Sequence, residues 1–123
     1  MPFKRVTPNL MVHNVTLSLR FYEQALGLER RLTVPEREPY VFVSLVAGDV
    51  EIFLNQNQSE TKPSAGGISL YVDVENLDQL LERVEEHGVK IEVALNETFY
   101  GTREFAVRDP DGYMIIFAEP VKR

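Results

Sequence analysis

The chain contains no cysteine, which excludes disulfide frameworks, thiol catalysis and cysteine-ligated metal. No apolar run approaches the roughly eighteen residues that span a bilayer, so no membrane partner is expected. The opening Met1-Pro2-Phe3-Lys4-Arg5 lacks the apolar stretch of a secretory signal, and a cytoplasmic location is expected. Basic residues are scattered, with Lys4-Arg5 and Arg30-Arg31 as short pairs in a chain of net charge −6. Without a basic patch to release counterions from phosphates, no nucleic-acid partner is expected. No serine stands in a nucleophile elbow, and no glycine-rich loop is placed to cradle phosphate.

What is present describes an ordinary folded domain. At 123 residues, with 44% apolar and 26% charged side chains, the chain is one domain by size and can bury a core without staples. Asn9-Leu10-Met11-Val12 is strand-like and leads into a helix expected from about Thr16 to Leu26. Asn14 is its N-cap and Gly27 its C′ glycine. Leu17, Phe21 and Leu28 form its apolar stripe, widened by Leu19 and Leu26. Three strands follow, 28–34, 40–46 and 50–54, with Ala47-Gly48-Asp49 as the last hairpin turn. Residues 55–63 are expected to be a linker.

The order then repeats. Ile68 to Val72 predicts a strand. Asn76 with Gln79 predicts a capping-box-like helix start. Leu77, Leu80, Leu81 and Val84 give an i, i+3, i+4, i+7 stripe that ends at His87-Gly88, where the imidazole complements the helix dipole. Strands are predicted at 89–95, 103–107 and 115–119. Asp109-Pro110-Asp111-Gly112-Tyr113 supplies the turn before the last of them, with Pro110 presetting φ, Gly112 tolerating a positive φ and the two aspartates capping local amides. Each half is therefore β-α-β-β-β, module 1 at about 1–58 and module 2 at about 64–123. One such unit cannot bury both faces of its sheet, so two must pair. The fold class is α+β.

Several segments together carry a resemblance: Pro8-x-Leu10-x-Val12, Phe21-Tyr22-Glu23-x-x-Leu26-Gly27-Leu28, Gly88-Val89, Tyr100-Gly101-x-Arg103 and Asp109-Pro110-Asp111-Gly112-Tyr113. In this order and at these spacings the chain resembles the vicinal oxygen chelate superfamily over almost its whole length. That superfamily includes glyoxalase I, extradiol dioxygenases, and fosfomycin- and bleomycin-resistance proteins. The resemblance implies two paired βαβββ modules forming a curved-sheet cleft, usually in a homodimer.

Family enzymes hold a divalent metal through His, Glu or Gln at four equivalent cleft positions. The resemblance places these at Thr7, Phe53, Gly67 and Ile116. Such a set offers one neutral hydroxyl where Zn²⁺ or Mn²⁺ needs several imidazoles or carboxylates. No metal and no cofactor are therefore expected. Glu51 and His13 lie near the same positions but would make a poor site, and His13 is expected to be a solvated connector.

By strand alternation the cleft face is expected to show Thr7, Asn9 and Met11, then Phe53 and Asn55, then Ser69 and Tyr71. The final hairpin is expected to add Phe105, Val107, Met114 and Ile116, with Arg103 on the face of Phe105 and Phe99-Tyr100 in the loop before it. This is the make-up of a small-molecule pocket, apolar and aromatic with a few convergent polar groups. The function expected is metal-independent binding of a small molecule, aromatic or cationic, of bleomycin-resistance type. Tyr71, Phe53, Phe99 and Tyr100 would stack on it, while Arg103 and Asn9 orient it. The alternative is a glyoxalase-like lyase or isomerase with an atypical site, using Glu51, Glu97 or Glu104 as base. A third possibility is an accessory module without ligand.

Overall fold

The computed structural model describes residues 2–58 and 66–122. The chain divides into two compact units, 1–63 and 64–123. Each is a mixed four-stranded sheet with a helical segment packed on one face, so the α+β class and the β-α-β-β-β order are both observed.

In the first unit the strands are β1 (Asn9–Val12), β2 (Glu29–Val34), β3 (Phe42–Ala47) and β4 (Val50–Gln56), in spatial order β1-β4-β3-β2. β1 pairs parallel with β4, setting Asn9 beside Phe53 and Met11 beside Asn55. The two-residue turn at Gly48-Asp49 joins β3 to β4, with Gly48 at φ +56°. Leu10, Val12, Val43, Leu45, Ile52 and Leu54 alternate onto the face that the helix covers and are buried, as a period of two requires. Asn55 and Gln56, expected in a linker, extend β4; residues 59–63 of that stretch lie outside the described residues.

The helical segment differs from expectation. α1 (Val15–Leu19) is α-helical, and Arg20–Ala25 continues it as a π-helix. Asn14 caps it as expected, its side-chain oxygen accepting the Leu17 N–H at 3.2 Å. Between cap asparagine and closing glycine this segment is one residue longer than its counterpart (14–27 against 76–88). The π turn absorbs the extra residue. Accordingly Leu28 N–H closes on Tyr22 C=O, one residue further back than Val89 N–H reaches when it closes on Val84 C=O. The core stripe is Val15, Leu19, Tyr22 and Ala25, while Leu17, expected in the stripe, is 46% exposed.

The second unit holds β5 (Ser69–Asp73), α2 (Leu77–Glu86), β6 (Ile91–Glu97), β7 (Thr102–Arg108) and β8 (Met114–Pro120), with sheet order β5-β8-β7-β6. Leu77 and Val84 of α2 are fully buried over Phe105, Val107, Ile115 and Phe117. The β7–β8 turn is built as its residues predict. Asp109 Oδ1 accepts the N–H groups of Asp111 and Tyr113, both at 2.9 Å, and Gly112 has φ +91°.

The expected capping box is absent. Asn76 sits at φ +58° and makes no side-chain cap bond. Glu119, reaching over from β8, accepts the Leu77 N–H instead, at 3.2 Å. Gln56 of β4 does the same for Val15 N–H in the first unit, at 3.1 Å. The internal repeat therefore extends to the way each helix is tied to the last strand of its own sheet.

Candidate functional site

In each unit the sheet face turned away from the helix carries the candidate residues. On the first unit this face shows Asn9, Met11, Phe42, Ser44, Glu51, Phe53 and Asn55, because the register sets Asn9, Ser44 and Phe53 in one row and Met11, Phe42 and Asn55 in the next. The Asn55 side-chain amide donates to the Asn9 side-chain carbonyl. Phe42 and Phe53 pack with ring centroids 5.0 Å apart. Asn9 and Met11 are exposed, whereas Phe53 and Asn55 are half-buried. Asn9, Phe53 and Asn55 are thus adjacent, as the sequence led us to expect.

Glu51 is on this face and is fully engaged. One carboxylate oxygen accepts Ser44 Oγ at 2.6 Å and Arg31 Nε at 2.8 Å, and the other accepts Arg5 at 3.1 Å. The Ser44 hydroxyl and then the Arg31 guanidinium hold its carboxyl below the usual range. A general base needs the opposite shift.

On the second unit Tyr71 stands beside Ile116, and Ser69 beside Met114. The β7 residue in the row of Ile116 is Ala106, not Phe105. Phe105 pairs with Phe117 and is fully buried, as is Val107. Arg103 shares their parity and reaches Asp78 of α2 at 2.8 Å and Glu119 at 3.1 Å. The expectation that Phe105, Val107 and Arg103 share a face with Ile116 is therefore corrected: all three lie on the helix side. The physical reason is register. A five-residue connection, 109–113, makes Arg108 the partner of Met114, and an error of one residue moves every β7 side chain to the opposite face.

What β7 offers the open face is Thr102, Glu104, Ala106 and Arg108, the last paired with Glu92 of β6 at 3.1 Å. Oε2 of Glu104 accepts the hydroxyls of Tyr71, Tyr100 (2.9 Å) and Thr102 (2.9 Å). Burial pushes the carboxyl up, but the Tyr71, Thr102 and Tyr100 hydroxyls outweigh it and leave the group below its ordinary value. The same contact with Glu104 pushes the Tyr71 phenol up to about 12. Sequence reasoning named Glu104 only as a base for the alternative reading; counting the turn length would have placed it beside Tyr71. Phe99 is 99% exposed and meets Tyr100 edge-on at 5.0 Å. Glu97 is exposed on β6.

The fold family implies a divalent metal in its enzymes, and these residues do not fit one. Phe53 and Ile116 carry no donor, their row neighbours are Asn9, Ser44, Tyr71 and Ala106, and Gly67 has no side chain. Among the described residues no group of three or more His, Asp or Glu is placed to hold a metal ion. The His13 backbone carbonyl accepts the Gln56 side-chain amide, and His87 Nδ1 lies 2.9 Å from Arg83 C=O. No helix among the described residues is long and apolar enough to cross a membrane.

Known proteins share this architecture. A bleomycin resistance protein from Geobacillus stearothermophilus is 28% identical over 131 residues, covering 94% of this chain and 96% of that one. Two crystal structures match the fold: TioX from Micromonospora (TM-score 0.80, 19% identity, 98% of both chains), and TnmS3, an antibiotic binding protein from Streptomyces (TM-score 0.78, 20% identity, 98% of both chains). The model of one family matches residues 4–117, and this chain accordingly belongs to the Glyoxalase/Bleomycin resistance protein/Dioxygenase superfamily.

Proposed function

We propose that this protein binds a small aromatic or cationic molecule of antibiotic type and protects by sequestering it. Asn9, Phe53 and Asn55 would contact ligand on the open face of the first unit, and Ser69, Tyr71, Tyr100, Met114 and Ile116 on that of the second, with Phe99 at its edge. The observation that carries this reading is the chemistry of the open sheet faces. Aromatic rings and neutral amides occupy the rows where family enzymes need metal ligands. Binding by burial and stacking needs only such groups. The bleomycin resistance relatives and the antibiotic binding neighbour supply the ligand class. A homodimer, the assembly the family resemblance implies, belongs to the same proposal.

The lyase or isomerase alternative calls for a carboxyl raised toward neutrality beside an electrophile. Glu51 and Glu104 are both lowered, and Arg103 is committed to the helix side. Thermal unfolding with bleomycin, a panel of cationic and aromatic antibiotics, and Ni²⁺, Zn²⁺ and Mn²⁺ tests the proposal, because a ligand that binds the native state must raise its stability. Stabilisation by a drug and not by metal is expected. Stoichiometric stabilisation by a metal would overturn the proposal.

A further inference from the structure

We infer that Glu104 is the cation-recognising residue of the second unit's open face, and that the ligand places a positively charged nitrogen against its carboxylate and the rings of Tyr71 and Tyr100. This rests on the binding role proposed above and narrows its ligand class.

The three hydroxyl bonds to Glu104 all converge on one oxygen, Oε2. Oε1 accepts none of them. Glu104 also has no cationic partner among the described residues, in contrast to Glu51, which is answered by Arg5 and Arg31. The guanidiniums of β7 leave Glu104 out, Arg103 pairing with Asp78 and Glu119 and Arg108 with Glu92. The open face thus holds an ionised, half-buried carboxylate that pairs with no cation among the described residues, Arg108 on the same face being taken up by Glu92, and whose three hydroxyl bonds all use one oxygen.

Two half-exposed rings flank it, Tyr71 at 49% and Tyr100 at 56% exposure. A carboxylate among exposed aromatic side chains is a combination that attracts an ammonium or amidinium group, through a charge-assisted hydrogen bond and the ring quadrupole together. The argument also has a penalty side. Any ligand that covers this face removes water from Glu104. A neutral ligand then leaves a desolvated charge without a partner, whereas a cationic one answers it. Protonation is a poor escape, because the hydroxyls favour the ionised form. Discrimination therefore comes from disfavouring the uncharged competitor as much as from attracting the right one.

The test uses two fluorescent probes of matched shape, 1-naphthylmethylammonium and 1-naphthylmethanol, titrated into the full chain and into Glu104→Gln and Glu85→Gln. On the unaltered protein the ammonium probe should bind about tenfold more tightly than the alcohol, as a charged hydrogen bond at a half-buried site implies. That preference should shrink at high salt. Glu104→Gln keeps a carbonyl oxygen for the three hydroxyls but removes the charge, and should bring the ratio close to one. Glu85→Gln removes one exposed charge from α2, away from the open face, and should preserve the preference. Equal binding of both probes to the unaltered protein, or an unchanged ratio in Glu104→Gln, overturns the inference while leaving a binding role standing. Failure of both probes to bind also overturns it, and the antibiotic panel then judges the binding role by itself.

Discussion

Oε2 of Glu119 lies 3.2 Å from the backbone nitrogen of Leu77, so that the last strand of the second sheet caps the helix packed against it. Asn76 at the head of the helix adopts a left-handed conformation and makes no side-chain cap bond. Oε1 of the same carboxylate receives Arg103 at 3.1 Å. Replacing Glu119 with Ala should cost about 1–2 kcal/mol in urea unfolding, the range for a lost helix cap. Glu119→Gln should recover most of it, because Gln56 performs the same task for Val15 in the first unit. Faster amide exchange at Leu77 in the Ala variant would locate the effect; equal stability of the two variants would show that the cap contributes nothing.

Ser18 makes the opposite point. Its hydroxyl is completely buried and has no hydrogen-bond partner among the described residues. A buried hydroxyl without a partner destabilises, and Ala is the better helix former. Ser18→Ala should therefore leave stability unchanged or raise it by up to about 1 kcal/mol. A clear loss in thermal unfolding would mean that the hydroxyl does work that its surroundings do not reveal.

The turn at Asp109 should be far less tolerant. Its side chain is 5% exposed, and one oxygen holds two backbone N–H groups at 2.9 Å. Asp109→Ala would strand both donors in a nearly dry site, at a cost of about 2–3 kcal/mol. Asp109→Asn keeps the accepting oxygen and should cost much less. Equilibrium unfolding of the pair separates loss of the acceptor from loss of charge.

Much of this was legible in the sequence, because local signals report local structure. Asn14, Gly48, Asp109 and Gly112 each name their own turn or cap, and all four are used as expected. What was not legible depends on pairing between segments. The face of Phe105 and Arg103 follows from strand register, which alternation within β7 leaves undetermined. Glu119 caps α2 from more than forty residues away, and a capping-box pattern cannot see it. The candidate site split along the same line. Asn9, Phe53, Asn55, Ser69, Tyr71, Met114 and Ile116 lie on the open faces that strand alternation predicts, whereas Arg103, Phe105 and Val107 lie on the helix side.

Acid should weaken the fold through carboxylates held below their ordinary values. Glu51 is lowered by Ser44, then by Arg31; Asp78 by Arg103; Glu104 by the three hydroxyls against its burial. A carboxyl with a depressed folded pKa stabilises fully above the unfolded value and loses that contribution as pH falls through the folded one. The melting temperature should therefore be flat near neutrality and decline as pH drops below about 4.5, the ordinary value for glutamate. Glu51→Gln should shallow this decline, since it removes one of the groups that must be protonated. A decline of the same steepness in that variant would assign the acid sensitivity to other groups.

The correction to β7 leads to a prediction about ligand binding that separates two roles easily confused. The sequence alone predicts that Arg103 orients the ligand, yet both guanidinium partners, Asp78 and Glu119, lie on the helix side. Arg103→Met keeps the aliphatic stem and removes the ion pairs. It should loosen α2 and lower the melting temperature while leaving the dissociation constant of a stabilising antibiotic unchanged. Phe53→Ala and Tyr71→Ala remove rings from the open faces and should do the reverse, weakening binding roughly tenfold with a modest effect on stability. Isothermal titration with the antibiotic that gives the largest thermal shift distinguishes the two classes. If Arg103→Met weakened binding as much as the aromatic variants, the helix-side face would have to take part in recognition. The division of each sheet into a structural face and a binding face would then fail, for it rests on register alone: Arg103 and Phe105 point toward the helix because Arg108, and not its neighbour, pairs with Met114.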